Sequence, residues 1–146
     1  MAIEYTVIVD DEKTEWRYNR FLHREDGPAI EYTSGVKKWY IDGLLHRNDG
    51  PAIEYADGSK EWYQYGNLHN AVGPAIDYTD GMQQWYNHGK LHREDGPAVI
   101  TPEGNKRWFI HGGALSEDQF NSRNSPKELT IAEIEALLGH PVKIVK

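Results

Sequence analysis

Five tryptophans, Trp16, Trp39, Trp62, Trp85 and Trp108, stand 23 residues apart without a slip. A fixed period of this length marks a chain built from one small supersecondary unit used repeatedly, because no such unit buries its apolar face alone. The unit reads Leu-His-x-x-x-Gly-Pro-Ala-Ile-Glu-Tyr-x-x-Gly-x-x-x-Trp-Tyr.

Glycine punctuates the unit at three places. Gly-Pro-Ala begins at Gly27, Gly50, Gly73 and Gly96; a turn glycine recurs at Gly35, Gly58, Gly81 and Gly104; another recurs at Gly43, Gly66, Gly89 and Gly112. The runs between them are short and rich in Ile, Tyr and Trp, which is the signature of strand, turn, strand and loop. Ser34-Gly35, Asp57-Gly58 and Asp80-Gly81 suit a two-residue hairpin turn. That turn pairs Glu31 with Lys38 and Ile30 with Trp39. Ile30, Tyr32, Trp39 and Ile41 then share one face, and Ala29, Glu31, Lys38 and Tyr40 the other. The same register sets Glu54 against Glu61, a like-charge pair. Leu22, Leu45, Leu68 and Leu91 are expected to fold from a longer loop over the Trp of their own unit.

The fold class is therefore mostly β: an elongated antiparallel meander of five 23-residue β-hairpin repeats over residues 1–112, closed by a C-terminal helix/strand cap over 113–146 in the same structural unit. Residues 1–20 form a degenerate first repeat, with Val7 and Val9 where later units carry Ile30 and Tyr32. In the tail, Ser116–Gln119 and Thr130–Glu133 are capping boxes, each opening a helix. Asn121 to Pro126 is read as a loop. Ile131, Ile134, Leu137 and Leu138 line one helix face, Gly139 stops that helix, and Val142 onward alternates like a last strand.

Composition narrows the function classes. The net charge of -7 argues against a general nucleic-acid or anionic-membrane binder. The absence of cysteine removes disulfides, thiolate catalysis and Cys-ligated zinc. No run reaches the length needed to span a bilayer, and Met1 to Asp11 lacks the basic start and apolar stretch of a signal peptide, so a cytoplasmic protein is expected. No phosphate loop of Walker type, Gly-x-Ser-x-Gly or His-Glu-x-x-His is present. Neither an enzymatic activity nor a cofactor is expected.

Three sets of side chains are candidates for chemistry. His23, His46, His69 and His92 form a ladder. Equivalent residues spaced by whole units do not converge on one ion, so these imidazoles are read as holding their own loops through Asp26, Asp49, Asp95 or a backbone carbonyl. His88 and His111 lie outside this ladder and are expected at the surface. Arg24, Arg47 and Arg93 line one edge beside Asp and Glu, either as a recognition edge for a charged partner or as local ion pairs, which contribute little at a surface. Asn70-Ala71-Val72 interrupts this edge and leaves Val72 as an exposed apolar spot. Tyr18, Tyr40, Tyr63, Tyr86 and Phe109 form a half-exposed aromatic face mixed with Glu31, Glu54, Asp77 and Lys38. Aromatics of this kind are enriched at protein interfaces.

Leu-His-Arg-Glu-Asp-Gly-Pro-Ala and Gly-Val-Lys-Lys-Trp-Tyr resemble MORN repeats and their bacterial variants, and also repeat-bearing small proteins of tailed bacteriophages. The resemblance spans about residues 5–112. It implies a scaffold or binding surface and, for a phage protein, a host macromolecule as partner in the bacterial cytoplasm. Tyr40, Tyr63, Tyr86 and Phe109, with Arg24, Arg47 and Arg93, are the expected contacts. The basic Leu-Tyr-Gly pattern of standard MORN units is not reproduced, and no membrane partner is expected. The rival readings are a small-ligand binder that holds a nucleotide signal between loop His and Arg, and an acidic nucleic-acid mimic.

Overall fold

The computed structural model describes residues 4–124 and 129–143. Its centre is a 12-stranded antiparallel meander. Hairpins Thr6–Val9/Lys13–Tyr18, Ile30–Tyr32/Lys37–Lys38, Ile53–Glu54/Lys60–Glu61, Ile76–Asp77/Gln83–Gln84 and Val99–Ile100/Lys106–Ile110 follow one another across it. Each hairpin also pairs with the next, as Lys38 does with Ile53 and Glu61 with Ile76.

The register differs by one residue from the sequence expectation. Ile30 pairs with Lys38 and Glu31 with Lys37, and likewise Ile53 with Glu61 and Glu54 with Lys60. The cause is the turn. Gly35 N–H donates to the Tyr32 carbonyl at 2.9 Å and Tyr32 N–H to the Val36 carbonyl at 2.9 Å, closing a three-residue loop with Gly35 at φ 91°. This is a type I turn with a glycine bulge. The same pair of bonds closes the turns at Gly58, Gly81 and Gly104. Only the first hairpin, whose Asp10 N–H meets the Lys13 carbonyl at 3.0 Å, keeps the expected register, with Val7 opposite Trp16.

A one-residue slip transfers every side chain of the second strand to the other face. One face therefore carries the cross-strand row Ile8, Glu15, Ile30, Lys38, Ile53, Glu61, Ile76, Gln84, Val99, Arg107. The opposite face carries Glu31, Lys37, Glu54, Lys60, Asp77 and Gln83 in sequence. The expected Glu54–Glu61 clash disappears. Glu54 lies between Lys37 and Lys60, and opposed charges of this kind contribute about 0.2–1 kcal/mol per pair.

The tryptophan is the hinge of each unit. Its N–H donates to the next alanine carbonyl, Trp39 to Ala52 and Trp62 to Ala75, both at 2.8 Å; its carbonyl accepts from His46 or His69 N–H at 3.1 and 3.0 Å. After the Trp the chain leaves the main sheet and forms a second hairpin rather than a long loop. Tyr40–Ile41 pairs with Leu44–Leu45, Tyr63–Gln64 with Asn67–Leu68, and Tyr86–Asn87 with Lys90–Leu91. Leu45, Leu68 and Leu91 are thus strand residues opposite tyrosines, and Leu22 is a strand residue opposite Arg17. Asp42, Tyr65, His88 and His111 precede the turn glycines with φ of 45–49°, so both central positions are left-handed, as a type I′ turn requires.

The buried core is made by Ala, Ile, Val and Phe side chains, with the tryptophans only partly buried. Ala29, Ile30, Ala52, Ile53, Ala75, Ala98, Val99, Phe109 and Phe120 are buried, while all five tryptophans are half-buried.

At the C-terminal end, α1 (Glu117–Asn124) contacts the last two strands of the sheet and buries Phe120. It extends into the segment expected to be a loop. Its capping box is formed, with Gln119 N–H on Ser116 Oγ at 3.2 Å and Ser116 N–H on Gln119 Oε1 at 2.9 Å. α2 (Ile131–Leu138) has the Thr130/Glu133 capping box and a left-handed Gly139 at its end. It contains no buried residue, so the cap over the sheet is supplied by α1. Residues 141–143 are not strand, and the rest of the expected final strand, with Ser125 and Pro126 of the expected loop, lies outside the described residues.

Candidate recognition faces

Two ladders of tyrosine flank the central row of the first face. Tyr32 ends its first strand, Tyr55 and Tyr78 directly follow theirs, and Tyr40, Tyr63 and Tyr86 open the second hairpins. All six are half-buried. Their placement follows from the shifted register, which puts Tyr40 on the face of Ile30 and Lys38 instead of the face of Glu31. Phe109, expected among the exposed aromatics, is only 7% exposed and packs with Ala98, Val99, Met82, Trp85 and Leu91. It is a core residue, because α1 and the last two strands close that end of the sheet.

Between the tyrosines lies a position whose chemistry changes in every unit: Glu15, Lys38, Glu61, Gln84, Arg107. Glu15 is buried and takes Lys13 Nζ at 2.5 Å and Arg17 Nε and Nη2 at 3.0 and 2.8 Å. Lys13, then Arg17, hold its carboxyl below the usual range against the cost of burial. Lys38 Nζ lies 5.5 Å from the Tyr32 ring centroid. Gln84 Oε1 accepts Tyr86 Oη–H at 3.0 Å, and Arg107 stacks over Phe109 at 5.0 Å.

Glu61 is enclosed nearly as closely as Glu15, which is 5% exposed. Glu61 is 6% exposed and accepts hydroxyls from Tyr55 at 2.8 Å, Tyr63 at 2.9 Å, and Tyr78. A buried carboxylate needs such donors, since an unpartnered one would carry a heavy desolvation cost. Burial first, and then the bond to Glu61, push the Tyr55 hydroxyl up to about 12; Tyr63 and Tyr78 are raised in the same way. Beside this cluster a cavity of about 280 Å³ opens between Tyr55, Tyr78, Asp57, Ser59, Thr79 and Asp80. The two rings meet edge to face, with centroids 6.0 Å apart.

On the opposite face each arginine of the loop edge is bound inward. Arg24, Arg47 and Arg93 place Cζ 4.1, 4.1 and 3.9 Å over Trp16, Trp39 and Trp85. Their Nε groups donate to Asp26, Asp49 and Asp95 at 2.9, 2.9 and 2.7 Å, and hold those carboxyls below the usual range. Their Nη1 groups donate to the Pro28, Pro51 and Pro97 carbonyls, each at 3.3 Å. Arg47 also reaches Glu54 at 2.8 Å. The guanidinium is thus a strut between Trp, loop and sheet.

Each histidine of the ladder joins its loop to the following second hairpin, and His23 and His92 also approach Glu25 and Glu94 of their own loops, with Nε2 3.9 and 3.7 Å from Oε1. Nδ1 of His46, His69 and His92 accepts the N–H of Tyr65, His88 and His111 at 3.2, 3.4 and 3.1 Å, and each imidazole stacks on the ring of that residue. His23 contacts Asp42 in the same place, with its Nδ1 2.9 Å from Oδ1 and 3.1 Å from the backbone nitrogen. Among the described residues no group of three or more His, Asp or Glu side chains could hold a metal ion. His88, His111 and Val72 are exposed, as expected.

The structure brings Tyr40, Tyr63 and Tyr86 together on one face and Arg24, Arg47 and Arg93 on the other. Sequence reasoning placed Lys38 on the Tyr40 face but passed over the Tyr32, Tyr55 and Tyr78 ladder and the continuation of the row through Glu61, Gln84 and Arg107. The available signal was the one position per unit where residue type changes while the frame around it is kept. No protein-family model, curated protein or solved structure matches the chain. No helix among the described residues is long and apolar enough to cross a membrane.

Proposed function

We propose that this protein is a non-enzymatic interaction module that binds a protein through its tyrosine face. The observation that carries this reading is the pair of tyrosine ladders enclosing a row of changing charge. Tyrosine supplies large contact area at small entropic cost, and Lys38, Gln84 and Arg107 supply specificity along a regular frame. With the resemblance to small phage proteins, the partner is a host macromolecule of the bacterial cytoplasm. A nucleotide-signal binder is favoured less, because the loop guanidiniums are already engaged by carboxylates and Trp rings.

The test is affinity recovery with the wild-type chain and a Tyr40→Ser/Tyr86→Ser variant. Neither residue touches Glu61, so the buried carboxylate keeps its donors. Recovery of one stoichiometric protein by the wild type and its loss from the variant supports the reading. Equal recovery by both removes the tyrosine face from it.

A further inference from the structure

The loop edge contains a vacant arginine position. In the troughs between successive loops the floor is a tryptophan: Trp39 between the loops of Arg24 and Arg47, Trp62 between those of Arg47 and Asn70, and Trp85 between those of Asn70 and Arg93. Trp39 and Trp85 are covered by their own arginine. Trp62 is not, because Asn70 stands at that place and among the described residues no cation lies over its ring. Asn70 Nδ2 donates to the Pro74 carbonyl at 2.8 Å.

We propose that the trough over Trp62, about 410 Å³ in volume, receives an arginine side chain from a partner protein. Three sister units show what this place accepts: a guanidinium 3.9–4.1 Å above the indole. The carboxylate that Glu31 and Glu54 present to Arg24 and Arg47 has its equivalent in Asp77, which takes Gln83 Nε2 on one oxygen. The Pro74 carbonyl keeps a second lone pair. Arg47 on the facing wall is neutralised by Asp49 and Glu54 at 2.9 and 2.8 Å, so it does not leave a free positive charge beside the site. Val72, which replaces the Asp of the other loops and is 96% exposed, offers apolar cover for the aliphatic stem. The chain's net charge of -7 favours approach of a cation. Tyr63 also borders this trough while its hydroxyl is bound to Glu61, and the proposal does not rest on the function proposed for the tyrosine face.

The test follows the Trp62 indole N–H by NMR, assigned with Trp62→Phe, while N-acetyl-arginine methylamide is added. The neutral isostere N-acetyl-citrulline methylamide and N-acetyl-phenylalanine methylamide serve as comparisons. The same titration is run on Asn70→Arg/Val72→Asp, which copies the sister loops and fills the place from within. The arginine probe is expected to shift Trp62 in the wild type, with the citrulline probe about ten-fold weaker, and neither probe to shift it in the filled variant. No shift in the wild type, equal response to citrulline or phenylalanine, or an undiminished shift in the filled variant overturns the proposal.

Discussion

Arg47 is held between Trp39 and Gly50. Its Cζ lies 4.1 Å from the indole centroid, and a Cβ built on Gly50 would fall 3.0 Å from the same atom. Gly27 and Gly96 face Arg24 and Arg93 at 2.9 and 3.2 Å, whereas at Gly73 the nearest atom is Asn70 Nδ2 at 3.5 Å, an ordinary contact. The glycine of Gly-Pro-Ala thus leaves room for the guanidinium at Gly27, Gly50 and Gly96. Gly50→Ala is expected to displace Arg47 and forfeit a stacking contribution of about 0.5–2 kcal/mol. Gly73→Ala, with no guanidinium to displace, is expected to be neutral or to stabilise by about 0.4–1 kcal/mol through the unfolded chain. Denaturant midpoints of the two variants check this. Equal losses at both positions would contradict the clamp.

The register of the main sheet has a test whose sign decides. Glu54 stands between Lys37 and Lys60 and beside Arg47. Glu54→Lys places like charges opposite each other and is expected to lower stability by about 1 kcal/mol. In the register one residue away Glu54 would face Glu61, and the substitution would relieve repulsion. An increase in stability at low salt would therefore contradict the pairing described.

Much of the architecture was legible in the sequence, and the errors have local causes. The Trp period, the glycine turns and both capping boxes are carried by residue type and spacing alone. Ser34-Gly35 fits a two-residue turn and also a three-residue turn with its glycine last, and nothing local separates them. That one-residue ambiguity moved Phe109 to the surface and Trp39 to the core. The second hairpins were hidden because Tyr65, His88 and His111 occupy a left-handed position that usually selects Asn, Asp or Gly; of the four, only Asp42-Gly43 resembles a standard turn. The histidine partners were not accessible either, since the accepting geometry joins residues 19 apart in neighbouring units.

Alkaline titration reports on Glu61. The hydroxyls of Tyr55, Tyr63 and Tyr78 have folded pKa values raised above the ordinary value of 10.0, that of Tyr55 to about 12. Their stabilising contribution is full below the unfolded value and is lost as pH rises through the folded one. Phenolate absorbance should show these three ionising above the ordinary value of 10.0. Glu61→Gln should bring Tyr55 down toward the usual range, leaving the part due to burial. A Tyr55 titration unchanged by Glu61→Gln would exclude the carboxylate as a cause.

At the acid end the His69–His88 stack is the sensitive contact. The rings lie 4.1 Å apart and 8° from parallel. Burial first, and then the charge of His88, lower the His69 pKa. A lowered histidine contributes stability that is present above its unfolded value and lost as pH falls through the folded one. His88→Tyr, which copies the His46–Tyr65 stack, should raise the His69 pKa part of the way back, read by NMR titration. A fall, or no change, would show that His88 plays no electrostatic part.

Protein binding by the tyrosine face remains the proposal to be tested. The most direct measurement is affinity recovery from bacterial lysate by the tagged chain and by Tyr40→Ser/Tyr86→Ser, matched for melting temperature and quantified by mass spectrometry for proteins and small molecules together. The account predicts one stoichiometric protein with the wild type and its loss with the variant. A co-purifying small molecule with no protein, or a protein retained equally by the variant, would contradict it.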